Sequence, residues 1–324
     1  MRIKQIEIQN FRGLGHWVWK LQPPEDCLVL FGPNGCGKTT VLDAVLMALG
    51  RNNLVGRAWP EGQDWKIELE IEGENGLRYK ICKTPDAKES KCVNPPVPFT
   101  GCETSRLSYF EHVLYVPSWR HPNFSGSIGV NSGRDTDGSD SSDDAEPINL
   151  ESYFFDYIPY KDLAQVKQQL VNLKSASAFD ASAKMHADEI FAQLNDIWRL
   201  FYPSESLSFE AMMAPNRPSN NPLFDVYMTH GNSNARIPVD DLSSGEIDIF
   251  TLMANIFLEE PQYELIVFDE PELHLHQQWR KAILSALRKA APNAQIIAAS
   301  HSAEIWNSVY DSQKCLMPSK ERNV

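Results

Sequence analysis

One short glycine-rich segment constrains the fold of this chain more than any other part of it. Residues 32–39 are GPNGCGKT, in which spaced glycines are followed by lysine and threonine. The apolar run before it, residues 27–31, predicts a buried strand, and the pattern of residues 39–49 predicts a helix that ends at Gly50. A strand, a glycine-rich loop and a helix in this order are typical of a phosphate-binding loop, whereas an isolated glycine turn would bind nothing.

The residue types in this loop suit a bound polyphosphate. Small side chains let consecutive backbone N–H groups surround the phosphates, and the helix N-terminus adds a partial positive charge. We expect Lys38 to reach the β- and γ-phosphates and Thr39 to bind Mg²⁺ through its hydroxyl. The sequence therefore predicts a protein that binds a nucleoside triphosphate. The predicted nucleotide-binding residues of the loop are Asn34, Gly35, Gly37, Lys38, Thr39 and Thr40.

A second apolar run ends in two carboxylates. Residues 265–270 are LIVFDE, which predicts a buried strand with Asp269 and Glu270 at its end. A carboxylate at the end of a buried strand is costly unless it is paired or bound to a metal, so we expect Asp269 to bind Mg²⁺ or to orient its ligands. Glu270 is placed to polarise an attacking water, which is the work of a general base. The alternative is a pair of exposed carboxylates without function.

Two further segments carry residues that suit phosphate recognition. Residues 241–246, DLSSGE, open an amphipathic helix whose serine caps and glycine let backbone amides face an anion. A capped helix without function is the alternative interpretation of this segment. Residues 295–302 contain another apolar run, which leads to His301. A single histidine is usually structural, but one at a strand end beside these elements is a candidate sensor of the γ-phosphate.

These four segments, in this order, resemble the nucleotide-binding head of the ABC ATPase superfamily. Four motifs in the same order are specific for that superfamily. They correspond to Walker A at 32–39, the signature at 242–246, Walker B at 265–270 and the switch histidine His301.

Two other stretches narrow the resemblance. Residues 3–13, IKQIEIQNFRG, are similar to the start of RecF, SMC and OLD (overcoming lysogenization defect) ATPases, and so are residues 270–276, EPELHLH. The resemblance covers about residues 1–120 and 225–310. It implies an α/β P-loop NTPase fold, namely an ABC-ATPase head with a mixed sheet, an antiparallel β lobe and a helical insert.

The resemblance also implies a mechanism that needs two chains. In such heads the signature serine and glycine, here Ser243 and Gly245, contact the γ-phosphate bound to the opposite monomer. ATP and Mg²⁺ would then lie in two composite sites of a homodimer, or of a higher oligomer built from the same ATP sandwich. Glu270 would activate a water, and His301 would orient that water and the γ-phosphate. ATP should favour closure of the dimer, and hydrolysis should release it.

The chain departs from the pattern of these heads in three places. The signature has Ser244 where many heads have a second glycine, and the loop after Walker B has His276 where SMC heads have aspartate. No clear glutamine marks the loop that usually links Mg²⁺ to the arm domain. A predicted strand at 113–116 occupies its expected place and is followed by PSWR, so Ser118 or Arg120 could serve instead.

Composition and periodicity predict how the chain is divided. Residues 1–120 and 204–324 are predicted to form the ABC ATPase head. Residues 121–148 are rich in Ser, Gly and Asp, so we expect an acidic flexible segment that acts as a connector or as a partner-binding tail. Residues 149–203 are predicted to form a helical insert of two short helices, without the sustained heptads of a coiled coil. Alternating apolar patterns predict two β-hairpins in the head, at 3–21 and 65–81.

Composition also limits the cellular setting. No apolar run approaches the roughly 20 residues of a membrane span, and the chain starts with an amphipathic strand rather than a signal peptide. We therefore expect a cytoplasmic protein without a membrane partner.

Cys82, Cys92 and Cys102 are too far apart for the usual zinc-binding pairs. The net charge of −13 argues against a strongly DNA-coated surface, but an acidic chain can still carry a basic stripe, so double-stranded DNA stays a possible partner.

The resemblance favours an ATP-driven, dimerising switch that controls a separately encoded effector, with a nuclease as the expected class, in anti-phage defence or DNA repair. OLD-type proteins carry a Toprim nuclease after the ATPase, and this chain ends where that domain would begin. Stand-alone ATPases of two-component defence systems, of the PtuA type in Septu and the AriA type in PARIS, are similar in plan. The alternative is a DNA-binding repair clamp resembling RecF. A transporter-type ATPase fits less well, because residues 270–274 and the β-hairpin lobe differ from transporter heads.

Overall fold

The structure is a computed structural model that describes residues 1–24, 26–51, 64–73, 76–85, 91–93, 110, 112–118, 120, 128–129, 160–214, 223–231, 235–259 and 262–318. The strands are β1 (Arg2–Phe11), β2 (Leu14–Lys20), β3 (Cys27–Phe31), β4 (Lys66–Glu72), β5 (Arg78–Lys83), β6 (Lys91–Val93), β7 (Val113–Val116), β8 (Ile128–Gly129), β9 (Leu207–Met213), β10 (Leu223–His230), β11 (Arg236–Pro238), β12 (Leu265–Asp269), β13 (Gln295–Ser300) and β14 (Lys314–Leu316). The α-helices are α1 (Lys38–Ala48), α2 (Leu163–Ala176), α3 (Ala181–Trp198), α4 (Ser244–Phe257), α5 (Gln277–Ala290) and α6 (Ala303–Trp306), and 3₁₀ turns cover Val239–Asp241 and Asp311–Gln313. The chain divides into two compact units, residues 1–120 with 157–160 and 261–324, and residues 121–156 with 161–260.

The first unit contains a five-stranded sheet in the order β14–β3–β13–β12–β7, and each of its pairings is parallel. Its inner strands are continuous apolar runs, as expected for a parallel sheet that is covered on both faces. In the register, Val267 of β12 lies between Ile297 of β13 and Tyr115 of β7. The strands predicted from the sequence in this sheet are confirmed. Because β3, β13 and β12 are neighbours and run the same way, their carboxyl ends meet at one edge, where the predicted site residues follow.

The same unit contains an antiparallel sheet in the order β2–β1–β4–β5–β6. Both predicted hairpins are confirmed, since Ile6 of β1 pairs with Trp19 of β2 and Leu69 of β4 pairs with Ile81 of β5. Helix α1 is buried on nearly all sides because it contacts strands of both sheets. Parallel and antiparallel strands thus occur together in the head, as predicted, but within the described ranges they form separate sheets.

The second unit combines α2, α3 and α4 with an antiparallel sheet in which β10 pairs with β8, β9 and β11. Helix α2 begins at a capping box formed by Asp162 and Gln165. An aromatic core joins α3, β9 and α4, where the Phe209 ring lies 4.7 Å from Trp198 and 4.8 Å from Phe250. Of the two helices predicted in the insert, the second is confirmed as α3, and α2 is the described part of the first. No helix in the described residues is long enough for a coiled-coil arm.

Some predictions concern residues outside the described ranges. Of the segment 121–148, only β8 is described, and it pairs with β10. The predicted division into a head of 1–120 and 204–324, a flexible segment of 121–148 and an insert of 149–203 stays a prediction. The compact units are drawn differently, with residues 204–260 in the same unit as α2 and α3. The side chains of Cys92 and Cys102 are not described, so the prediction that they form no zinc site is untested. No helix among the described residues is both long and apolar enough to cross a membrane.

Candidate functional site

The glycine-rich loop links β3 to α1, as predicted. Gly35 and Gly37 have φ angles of 82° and 104°, in the region that favours glycine because it lacks a Cβ atom. Gly37 immediately precedes α1, and a Cβ atom there would lie 2.8 Å from Leu14 Cδ1, at the start of β2. The backbone conformation therefore requires glycine at position 37, and a Cβ atom there would also have to displace the Leu14 side chain of the β1–β2 hairpin.

Lys38, the first residue of α1, has a side chain that folds back over its own loop. The residue is only 6% exposed, and its Nζ donates hydrogen bonds to the carbonyl oxygens of Gly32 at 2.7 Å and Pro33 at 3.0 Å. A phosphate oxygen is a stronger acceptor for an ammonium than a carbonyl, so it can take the place of either.

A cleft of about 290 Å³ opens beside this lysine. It contains all six loop residues predicted to bind nucleotide together with the predicted general base. The residues that line it are Asn34, Gly35, Gly37, Lys38, Thr39, Thr40 and Glu270. The structure thus brings together the two motifs that the sequence separates by more than 200 positions.

The two predicted metal ligands are also in contact. Thr39 Oγ1 donates to the Asp269 carboxylate, 3.1 Å from Oδ1 and 3.2 Å from Oδ2. Burial raises the pKa of Asp269 above its usual 3.8, the hydrogen bond from Thr39 lowers it, and the nearby Glu270 and Asp43 carboxylates raise it further. Hydroxyl and carboxylate oxygens are the ligands that Mg²⁺ prefers, and a buried carboxylate close to two others is stabilised by a cation. The residues present therefore fit a magnesium ion.

Glu270 follows Asp269 with an unusual backbone conformation. Its φ angle is 52°, which is uncommon for a residue other than glycine. Its backbone N–H donates to Ala299 O at 2.9 Å, which joins the end of β12 to the end of β13. The backbone is held in this conformation while the side chain lines the cleft, so the carboxylate is available to a water molecule there.

Arg120 contacts the residues at the end of β12. It is 6% exposed, and its guanidinium lies 5.1 Å from the centre of the Phe268 ring. Its Nη1 donates to the carbonyl oxygens of Pro117 at 3.1 Å and Asp269 at 3.3 Å, and its Nη2 donates to that of Glu270 at 3.2 Å. The planar fork of an arginine makes this three-carbonyl contact possible.

The two residues predicted to replace the missing glutamine therefore have different surroundings. Ser118 donates a hydrogen bond to the Asp269 carboxylate, which lowers the pKa of that group. Arg120 contacts the backbone of Asp269 and Glu270 instead. Both follow β7 and contact the end of β12, so the choice between Ser118 and Arg120 stays a prediction.

His301, the predicted sensor, is oriented by a residue to which sequence reasoning assigned no role. Glu272 is 3% exposed, and its Oε1 accepts from the backbone N–H of His301 at 2.7 Å and lies 2.9 Å from His301 Nδ1. Its Oε2 accepts from Ser300 Oγ at 2.9 Å. The only signal for Glu272 in the sequence is its place in EPELHLH, which indicated a protein family rather than a contact.

The opening motif NFRG also makes a contact that its sequence did not reveal. Arg12 Nη1 lies 2.5 Å from Asp43 Oδ2, and the two side chains are 13% and 5% exposed. The turn between β1 and β2 is thereby bound to α1, one helical turn beyond the phosphate-binding loop. This ion pair and the Leu14–Gly37 approach both hold the hairpin against the loop.

The predicted signature residues Ser243 and Gly245 lie in the second compact unit. Ser243 occupies the position before α4, and Glu246 Oε2 accepts from its backbone N–H at 2.8 Å and from its Oγ at 2.6 Å. Tyr202 donates to the other Glu246 oxygen at 2.6 Å, so this carboxylate is held from two sides. Ser243 is exposed and Gly245 is buried in the first turn of α4. These two residues do not line the cleft around Lys38.

A buried ion pair lies just before the signature, and sequence reasoning did not find it. Lys167 of α2 is fully buried, and its Nζ lies 2.7 Å from Asp225 Oδ1 and also contacts the Asp240 carboxylate. Asp240 is in the 3₁₀ turn that leads into Ser243. The lysine therefore joins the helices to the segment that carries the signature.

Two family models match the chain. One, described as "AAA domain, putative AbiEii toxin, Type IV TA system", matches residues 116–307, and one described as "AAA domain" matches residues 5–105. The first match alone covers more than half of the 324 residues. The two matches together include Walker A, the signature, Walker B and His301.

Three curated relatives illustrate the likeness. The chain is 22% identical to the Septu protein PtuA of Bacillus mycoides (strain KBAB4), over 99% of this chain and 41% of that protein. It is 21% identical to the "Retron Ec83 probable ATPase" of Escherichia coli, over 97% of this chain and 70% of that protein. It is also 45% identical over 56 residues to the DNA replication and repair protein RecF of Chlorobium luteolum (strain DSM 273 / BCRC 81028 / 2530). That match covers 17% of this chain and 15% of that protein. The alignments span less than half the length of the Septu and RecF relatives.

A solved structure of an SMC head bound to the C-winged helix domain of ScpA has the same fold. The TM-score is 0.54 at 14% identity, and the alignment covers 95% of this chain and 92% of that chain. At this identity the likeness concerns the fold alone. It confirms the predicted fold class, an ABC-type P-loop NTPase head.

Proposed function

The chain belongs to the AAA-domain family whose model matches residues 116–307, and from this premise we propose that it is an ATP-hydrolysing, dimerising switch. It has the fold of the ABC-type ATPase heads of the RecF/SMC group. The cleft around Lys38 carries the proposal, because it joins the complete phosphate-binding loop to Glu270. The contact between Thr39 and Asp269 adds a pair of oxygen ligands for Mg²⁺ beside that cleft.

In the proposed reaction, the loop N–H groups and Lys38 bind the β- and γ-phosphates of ATP. Lys38 exchanges its carbonyl partners for phosphate oxygens, which are better acceptors for its charge. Mg²⁺, held by Thr39 and Asp269, would neutralise charge on the β- and γ-phosphate oxygens. Glu270 accepts a proton from the water that attacks the γ-phosphate, and the γ-phosphate leaves ADP as inorganic phosphate.

The proposed dimer follows from the exposure of the signature. Ser243 is at the N-terminus of α4, where backbone N–H groups and the helix dipole favour an anion. Its hydroxyl donates to Glu246 in the single chain, and we propose that it turns to the γ-phosphate bound by a second copy. ATP would then be held by Walker A and Walker B of one chain and by Ser243 and Gly245 of the other.

We further propose that the switch controls a separately encoded effector, with a nuclease as the expected class, in anti-phage defence. The likeness to a Septu protein and to a retron ATPase along nearly the whole chain supports this setting. The dimer would then be the state that the effector recognises, since ATP binding favours the dimer and hydrolysis favours its dissociation.

Light scattering of purified wild type and Glu270→Gln, with and without Mg²⁺ and ATP, tests the proposal. Wild type should release phosphate from ATP, and Glu270→Gln should bind ATP, lose hydrolysis and double its mass only when ATP is present. Ser243→Arg in the Glu270→Gln background is the control, because it should keep ATP binding and stay monomeric. A Glu270→Gln protein that binds ATP but remains a monomer would contradict the ATP sandwich.

A DNA-binding repair clamp is the second candidate, and the 45% identity to RecF over 56 residues supports it. Such a clamp would bind duplex DNA only with ATP, and its affinity would fall steeply with salt because phosphate contacts release counterions. Fluorescence anisotropy of a labelled duplex at several salt concentrations separates the two candidates. ATP-dependent, salt-sensitive binding favours the clamp, and its absence leaves the effector switch.

A further inference from the structure

We propose that Glu272 is a positioning residue for ATP hydrolysis, which fixes the His301 ring so that its Nε2 atom faces the reacting phosphate. The inference rests on the proposed ATPase activity and adds to it a residue that touches neither the nucleotide nor the metal. It is carried by the contacts of one buried carboxylate.

Three donors from two consecutive residues surround that carboxylate. The backbone N–H and ring Nδ1 of His301 lie 2.7 Å and 2.9 Å from Oε1, and Ser300 Oγ lies 2.9 Å from Oε2. Glu272 and Ser300 are almost completely buried, at 3% and 0% exposure. A carboxylate in such a place is costly unless its oxygens are hydrogen-bonded, and here both are. The carboxylate therefore holds the end of β13 and the imidazole ring in one arrangement.

The ring nitrogen that remains is the one suited to the reaction. A carboxylate only accepts hydrogen bonds, so Nδ1 must carry the proton and the tautomer is fixed. Nε2 has no protein partner within the described part of the chain, and the His301 side chain is 46% exposed. Nε2 is thus free to accept a hydrogen bond from the attacking water or, when protonated, to donate one to a γ-phosphate oxygen.

The position of Glu272 in the chain also explains how it reaches His301. Glu272 is two positions after Glu270, and His301 directly follows Ser300, the last residue of β13. Because β12 and β13 are neighbouring parallel strands, the loop after one reaches the residue that follows the other. Glu272, two residues after the proposed general base, therefore contacts both the backbone and the ring of the proposed sensor His301.

Glu272→Gln tests the inference, because glutamine keeps the shape and an accepting oxygen but removes the negative charge. We expect kcat to fall by about 10- to 100-fold, by analogy with the loss of a carboxylate that orients a metal-binding histidine. The KM for ATP should change less than twofold, since Glu272 does not touch the phosphates. Glu304→Gln is the matched control: this nearby glutamate accepts from Ser302 and Gln277 rather than from His301, so its kcat should equal that of wild type.

A double-mutant cycle with His301→Ala separates positioning from general stability. If Glu272 acts through the ring, Glu272→Gln should cause no further loss of kcat in the His301→Ala background. Nitrogen NMR of histidine-labelled protein gives a second readout, in which His301 should carry its proton on Nδ1 in wild type and show mixed tautomers in Glu272→Ala. Equal kcat for Glu272→Gln and wild type, or an undiminished loss in the His301→Ala background, would overturn the inference. Absence of phosphate release from wild type would instead overturn the proposed ATPase activity itself.

Discussion

Thr39 Oγ1 lies 3.1 Å and 3.2 Å from the two carboxylate oxygens of Asp269, although 230 positions separate the residues in the chain. The contact is possible because β3 and β12 flank β13 in one parallel sheet, so the loop after β3 and the end of β12 meet at the same edge. The topology of the sheet therefore brings the two proposed metal ligands together.

Asp269→Asn should stabilise the metal-free protein while it abolishes hydrolysis. Burial raises the pKa of Asp269, and Glu270 and Asp43 raise it further, so the ionised side chain destabilises the folded state. Asparagine removes the charge and can still accept from Thr39. We expect the free energy of unfolding in EDTA at pH 8 to rise, because the unfavourable buried charge is then present only in wild type. Urea unfolding and phosphate release measure the two effects.

The pH dependence of this gain has a definite sign. A raised pKa means that the folded protein binds a proton that the unfolded chain has already lost, so wild type loses stability as pH rises through that window. The gain from Asp269→Asn should therefore be full at pH 8 and vanish as pH falls towards the usual pKa of 3.8 that the unfolded chain has. Asp311, whose pKa is lowered by the hydrogen bond from Lys314, is the control, because Asp311→Asn should give no gain at pH 8. A pH-independent gain would contradict the account.

Gly37→Ala should destabilise the protein and weaken nucleotide binding. The φ angle of 104° is strained for any residue with a Cβ atom, and that atom would lie 2.8 Å from Leu14 Cδ1. Strain of this kind costs about 1–3 kcal/mol. Gly15→Ala is the control, since a Cβ atom there meets nothing within 4 Å. Thermal unfolding and titration with a fluorescent ATP analogue should separate the two variants, and equal behaviour would show that position 37 does not require glycine.

Ser118→Ala and Arg120→Met should affect the site in different ways. Ser118 contacts the Asp269 carboxylate, so its loss should weaken Mg²⁺ binding, with a higher Mg²⁺ concentration needed for half-maximal activity. Arg120 holds three backbone carbonyl oxygens, and each hydrogen bond from a charged donor contributes about 1.5–3 kcal/mol. Arg120→Met should therefore lower stability as well as kcat.

Steady-state kinetics at varied Mg²⁺, together with urea unfolding, distinguish these two residues. Arg120→Lys is a useful comparison because lysine keeps the charge but lacks the planar fork. It should recover little of the lost activity. If Arg120→Met instead raised the Mg²⁺ requirement without loss of stability, Arg120 rather than Ser118 would take the role of the missing glutamine.

The local parts of the site were predictable from sequence because their signals are contiguous. The strand before Gly32, the helix after Lys38 and the two carboxylates after Phe268 each lie within a dozen residues. Their order along the chain, together with the rule that carboxyl ends of parallel strands share an edge, is enough to predict that the segments carrying Lys38, Asp269 and His301 lie at one edge of the sheet.

The supporting contacts could not be predicted in the same way. Glu272 reaches His301 across 29 positions, and Tyr202 reaches Glu246 across 44. Neither pair has a spacing, a periodicity or a residue type that distinguishes it from an ordinary surface pair. Such contacts depend on how loops from neighbouring elements pack, and that information appears only once the tertiary structure is known.

Lys167→Met should be among the most destabilising substitutions in the second compact unit. Lys167 is fully buried between the carboxylates of Asp225 and Asp240, so its loss leaves two like charges without their cation. Removing one member of a buried ion pair typically costs 3–5 kcal/mol, and we expect about that loss in urea unfolding. Lys184→Met, at an exposed position of α3, is the control and should change the free energy of unfolding by about 0.5 kcal/mol or less. The triple variant with Asp225→Asn and Asp240→Asn should recover most of the loss, because the uncompensated charges are then gone. A triple variant as unstable as Lys167→Met would mean that packing of the lysine stem, rather than its charge, holds α2 to the segment before Ser243.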